Sequence, residues 1–123
     1  MSADDKFQIR NLTKGKLPSL PFERAKKMIL GKNYELSLVF TGNSLARKLN
    51  KIYRGKDKPA NVLSFTLGKQ TGEIFINLTK AKTYARLALL LIHALLHLKG
   101  WRHSSKMESE EIRILKKFLI TNF

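Results

Sequence analysis

The sequence predicts an α/β (α+β) fold: a single layered domain over residues 1–123, with a mixed, mostly four-stranded sheet and about four to five helices. Three observations point there. Apolar residues alternate at period two in some stretches and recur at helical spacing in others, and the two kinds of stretch interleave along the chain. Two short apolar strands, at 62–67 and 73–78, are separated by a glycine-bearing segment, which predicts a hairpin and hence an antiparallel pair within the sheet. The chain has 123 residues, 43% of them hydrophobic, enough for one core and too few for two ordinary domains.

Residues 7–12 alternate weakly, with Phe7 and Ile9 on one side, as in a first strand. Gly15, between Lys14 and Lys16, marks a turn. Pro18 and Pro21 lead into a helix over 22–30, whose apolar face is Phe22, Ala25, Met28 and Ile29, with Gly31 as its stop. Residues 35–41 form a strand with Leu36, Leu38 and Phe40 on one face and Ser37, Val39 and Thr41 on the other. The segment 42–44 supplies a turn and a cap for a helix over 44–53 that buries Leu45, Leu49 and Ile52. A charged loop, 54–59, follows. The hairpin of 62–67 and 73–78 has a longer loop at 68–72. Asn77 or Thr79 then caps a long central helix ending near Lys99. A last helix begins after Ser105, which stands at capping-box spacing from Glu108. It packs inward through Met107, Ile112, Leu115, Phe118 and Leu119.

Lysine and arginine number 24 against nine aspartates and glutamates, a net charge of +15. Such an excess on a small domain favours a polyanionic partner, nucleic acid first. The absence of cysteine excludes disulfides and thiolate metal sites and suits a reducing compartment. The first five residues are acidic and lack an apolar signal segment. The longest apolar run, 87–98, falls short of the roughly 20 residues that span a bilayer. The expectation is a cytoplasmic protein with no membrane partner.

All three histidines lie in one stretch, at His93, His97 and His103. The four-residue spacing of the first two stacks their rings on one face of the central helix. Gly100 can end that helix in a left-handed conformation and return the chain, bringing His103 towards the pair. Histidine pairs on apolar helices also occur as core residues bonded to backbone. The gathering of every histidine, with a glycine at the turn, favours a metal site instead. Three neutral imidazoles leave the full charge on a zinc ion, which lowers the pKa of bound water to about 7 and attracts a phosphodiester. The spacing His-x-x-x-His-x-x-Gly-x-x-His is that of metzincin proteases, but Ala94 stands where they carry the glutamate base. Peptide hydrolysis by that route is therefore disfavoured.

These residues, with two stretches upstream, resemble the YbeY family of bacterial endoribonucleases and ribosomal RNA maturation factors. The family motif His-Gly-x-Leu-His-Leu-x-Gly-Tyr-Asp-His is matched by residues 93–103, His-Ala-Leu-Leu-His-Leu-Lys-Gly-Trp-Arg-His. Residues 50–65 resemble its Asn…Tyr-Arg-x-Lys-Asp…Asp/Asn-Val-Leu-Ser-Phe segment, and residues 72–76, Gly-Glu-Ile-Phe-Ile, its Gly-Asp-Ile strand. Three motifs thus occur in the family's order between about residues 49 and 103. Two departures bear on chemistry: Ala94 replaces a glycine, and Arg102 replaces the aspartate before the third histidine. If that acid orients a ligand, its loss weakens metal binding.

The resemblance implies one Zn2+ per chain, held by His93, His97 and His103, and cleavage of single-stranded RNA. It further implies a place in small-subunit ribosomal RNA 3′-end maturation and ribosome quality control, with the ribosome or its proteins as partners and no DNA substrate. It maps the family's functional arginine to Arg54, which joins His93 in the catalytic set. A guanidinium there can hold a phosphate in bidentate fashion and stabilise its added charge. Lys48, Lys51, Lys56 and Lys58 form a candidate RNA track. Glu73 and Asp57 are candidate bases by position only. The alternative reading is a non-catalytic RNA-binding ribosome-assembly factor whose metal is structural, marked by a fourth protein ligand or a site sealed from solvent.

Overall fold

In the computed structural model, residues 6–121 are described, with side chains for residues 6–118. The first five residues and the inward packing expected of Leu119 lie outside that set. The strands are β1 (Phe7–Asn11), β2 (Glu35–Thr41), β3 (Val62–Gly68) and β4 (Thr71–Asn77). They form one sheet in the order β1-β2-β4-β3. The β1–β2 and β2–β4 pairs are parallel, and β3–β4 is the antiparallel hairpin. Four α-helices accompany it: α1 (Phe22–Leu30), α2 (Asn43–Arg54), α3 (Tyr84–Lys99) and α4 (Ser105–Thr121). The predicted mixed four-stranded sheet and layered α/β class are what the structure has.

Alternation along the strands divides the core. Leu36, Leu38 and Phe40 of β2 and Ile74 and Ile76 of β4 join α1, α3 and α4 in the main cluster. Val39 and Leu63, also buried, lie outside that cluster, on the face over which α2 packs. Helix α3 is apolar almost all round, as its central place between sheet and α4 requires. Among the described residues, no helix is long and apolar enough to cross a membrane.

Several details depart from the sequence-based expectations, each for a local reason. Met28 is partly exposed, and Lys26 is buried instead, its amine donating to the Lys32 carbonyl at 3.1 Å. In α2 the buried positions are Ala46 and Asn50, and Ile52 is exposed. Gly42 is its N-cap, with no side-chain cap bond. Asn77 caps a short 3₁₀ turn, Leu78–Lys80, whereas α3 is capped by Thr83, whose hydroxyl accepts from the Arg86 amide at 3.1 Å. The cap of α4 is Ser104, which accepts from the Met107 amide at 3.2 Å, so the capping pair is not Ser105 and Glu108. On that helix Ile114 is buried and Ile112 exposed.

The hairpin loop is shorter than expected. Gly68 pairs with Thr71 across a tight turn, and the register shift between Thr66 and Gly68 leaves Leu67 as an extra, exposed residue. Gly72 lies within β4 and serves packing rather than the turn. A Cβ there would lie 2.4 Å from the Tyr34 hydroxyl and 3.0 Å from Leu98 Cδ2. Gly72→Ala should therefore destabilise the fold by about 1–3 kcal/mol, read as a lower urea midpoint at unchanged m-value.

Candidate metal centre

Helix α3 ends in a Schellman turn. The Gly100 and Trp101 amides donate to the carbonyls of His97 and Leu96, both at 3.0 Å, and Gly100 has φ +110°. The chain reverses there and returns two groups to the helix. The Trp101 carbonyl comes within 3.0 Å of His97 Nδ1, and the His103 ring lies 5.0 Å from that of His93 and 5.6 Å from that of His97. One ring nitrogen from each of His93, His97 and His103 lies within 4.8 Å of the others, so the three could hold a metal ion. The predicted convergence of helix and loop is what the structure has.

The outer nitrogens of two of these rings have partners. His97 Nδ1 faces a carbonyl, which only accepts, so that nitrogen carries the proton and Nε2 carries a lone pair. His93 Nδ1 meets Oε1 of Glu111, from α4, which imposes the same tautomer. The two Nε2 atoms therefore present lone pairs to each other at 3.0 Å. Facing lone pairs at that distance repel unless a cation or a proton lies between them. Burial pushes the His97 imidazole below its ordinary value of 6.5, and the adjoining His93 ring pushes it further, because a proton on either ring disfavours one on the other. Neutral His97 with its lone pair turned inward is the form a metal ion requires. The donor set fits such an ion, and three imidazoles suit zinc.

The centre opens into a cleft of about 510 Å³. Its lining includes the three histidines, Glu111, Arg54, Lys56 and Lys58. The loop holding these cations is fixed by α2. Gly55 takes φ +68° to end the helix, and its amide donates to the Lys51 carbonyl at 3.1 Å. The Asn50 side chain donates to the Lys58 carbonyl at 2.9 Å. From beyond the loop, the Asn77 amide group donates to Asn43 at 2.8 Å and to the Ala60 carbonyl at 3.2 Å. The asparagine that fills an otherwise apolar position of α2 is thus what aims Arg54, Lys56 and Lys58.

Lys48 and Lys51 are exposed on α2 and are not part of the cleft lining, so the expected lysine track divides. Lys80 and Arg86 also line the cleft and were not anticipated. Arg86 was legible: it precedes His93 by seven residues, two turns along the same helical face. Neither candidate base lines the cleft. Asp57 pairs with Arg47 at 2.8 Å, and Glu73 accepts from the Ser37 hydroxyl at 2.9 Å on the α2 face of the sheet. The carboxylate that reaches the histidines is Glu111, with nothing in local spacing to announce it.

The family model for Endoribonuclease YbeY matches residues 5–123. Endoribonuclease YbeY of Alkaliphilus metalliredigens is 32% identical over 109 residues, covering 72% of this chain and 70% of its own. That of Ehrlichia ruminantium strain Gardel is 35% identical over 136 residues, covering 95% and 82%. The solution structure of TM1509 from Thermotoga maritima shares the fold with a TM-score of 0.62 at 23% identity, over 91% of this chain and 88% of that one. By its motifs, its fold and the extent of these matches, the chain belongs to the YbeY endoribonuclease family.

Proposed function

We propose that this chain is a metal-dependent endoribonuclease that cuts single-stranded RNA, acting in the cytoplasm on small-subunit ribosomal RNA 3′ ends and in ribosome quality control. The whole of residues 1–123 serves as one catalytic domain, with one zinc ion per chain. The observation that carries this reading is the approach of the His93 and His97 Nε2 atoms to 3.0 Å, with His103 beside them, in the lining of a cleft that also holds Arg54, Lys56 and Lys58.

His93, His97 and His103 hold the ion, which when bound supplies Lewis-acid activation at neutral pH. The residues around it do the rest. Arg54 grips a phosphate oxygen and stabilises the charge that grows on the phosphorus centre. Lys56, Lys58, Lys80 and Arg86 draw the backbone into the cleft. Glu111 keeps His93 in the tautomer that turns Nε2 inward. It comes from α4 and so does for this centre what Arg102 cannot. The open cleft, and a donor cluster limited to three histidines among the described residues, support a catalytic over a purely structural metal.

The test is purified protein against a labelled single-stranded RNA, the same RNA in a duplex, and the same sequence as DNA. Cleavage of the single strand alone, abolished by chelation and restored by zinc, is expected. A stoichiometric metal without cleavage of any RNA would favour the assembly-factor reading. Glu111→Ala should weaken metal affinity by about 10- to 100-fold, with Glu111→Gln between it and the native protein. Competition against a chromophoric chelator measures both.

A further inference from the structure

We propose that Tyr53 is a stacking platform for one base of the single-stranded RNA, across the β3 edge from the cleft; the idea rests on the RNA-cleaving function proposed above. Tyr53 is 63% exposed and Ile52 60%, at the C-terminal end of the most basic helix surface in the chain. An aromatic ring so open would gain from cover. Its ring is also held: it meets Phe65 edge-to-face at 5.1 Å, and Phe65 meets Phe75 in the same manner at 5.8 Å. The aromatic row fixes the orientation of Tyr53 while leaving most of its surface open to solvent.

The surroundings identify the occupant. Arg54, the next residue, lines the cleft, and adjacent Cα atoms are about 3.8 Å apart. Tyr53 packs against Phe65 on the opposite face of β3 from Val62 and Ser64, which line the cleft. Because β3 is an edge strand, a chain leaving the cleft past Arg54 can turn over that edge and reach Tyr53. Lys48 and Lys51 lie exposed on the turns leading to it, and the nearby acid, Asp57, is engaged by Arg47. Cations interleaved with an open aromatic ring fit a polyanion bearing flat apolar rings, which is single-stranded nucleic acid; a duplex keeps its ring faces occupied. The same placement gives Lys48 and Lys51, which the cleft does not use, a backbone to follow.

The experiment is equilibrium binding of the native protein to a single-stranded 2′-O-methyl RNA carrying 2-aminopurine, beside Tyr53→Leu and Tyr53→Phe. Tyr53→Leu should weaken binding by about 5- to 150-fold and abolish the quenching of 2-aminopurine. Tyr53→Phe should keep both, and metal content should be the same in all three proteins. The KM for cleavable single-stranded RNA should rise with the same factor in Tyr53→Leu. Native-like binding and quenching in Tyr53→Leu, while the native protein still cuts RNA, would overturn the platform and leave the proposed function standing. Loss of binding in Tyr53→Phe equal to that in Tyr53→Leu would also overturn it, since a phenyl ring stacks as well. RNA binding unchanged beside lost binding of a ribosomal protein would assign the patch to a protein partner instead. A native protein that neither binds nor cuts RNA would remove both proposals.

Discussion

His97→Ala should lose the metal and with it all RNA cleavage. His97 stands between two constraints that no other side chain reproduces. Its Nδ1 is tied to the Trp101 carbonyl at 3.0 Å, and its Nε2 faces that of His93 at 3.0 Å. Removing it deletes one of three donors and frees the returning 101–103 segment, which also carries His103. Loss of a partner behind a metal ligand costs about 10- to 100-fold in affinity, and loss of the ligand itself should exceed that. The ring is only partly buried, so the fold should survive. Elemental analysis after dialysis reads the metal, and far-UV circular dichroism reads the fold. Metal retained at the native level in His97→Ala would exclude this residue as a ligand.

Arg54→Ala should divide the two properties that His97→Ala removes together. The residue lines the cleft beside the histidines and is not one of the converging donors. Metal content should therefore remain native while cleavage falls by about 10²- to 10³-fold, the usual effect of deleting one donor to developing charge. Arg54→Lys should recover only part of the loss, because an ammonium keeps the charge but not the planar fork that matches two phosphate oxygens. Single-turnover cleavage at saturating RNA is the measurement. Native rates in Arg54→Ala would remove the arginine from the chemistry.

How much of this was legible in the sequence depended on how local the cause was. The bounds of β2 and α1 follow from alternation and helical spacing within one element, and both were read correctly. The histidine pair is legible for the same reason, and Gly100 announces the reversal that brings in His103. Glu111 was not legible, because it lies 18 residues from His93 and meets it only through the packing of α4 on α3. Its place on the inner stripe with Met107, Ile114 and Phe118 also explains the misreading of Ile112. A carboxylate interrupts the apolar pattern of that stripe, so apolar spacing alone points to Ile112, which is exposed. Lys26 in α1 and Asn50 in α2 misled in the same way. Each is a polar residue buried because a carbonyl from another segment satisfies it, and such a partner is visible only after folding.

The centre itself is tested most directly by X-ray absorption at the zinc edge on the purified protein, with the metal quantified in the same sample. One zinc per chain, surrounded by three imidazole groups with Zn–N distances of about 2.0–2.1 Å and by no carboxylate or sulfur from the protein, is expected. A chain that retains less than a tenth of an equivalent, as an order-of-magnitude threshold for a resident metal, would contradict it. So would a fourth ligand from the protein, which would close the position that RNA chemistry needs.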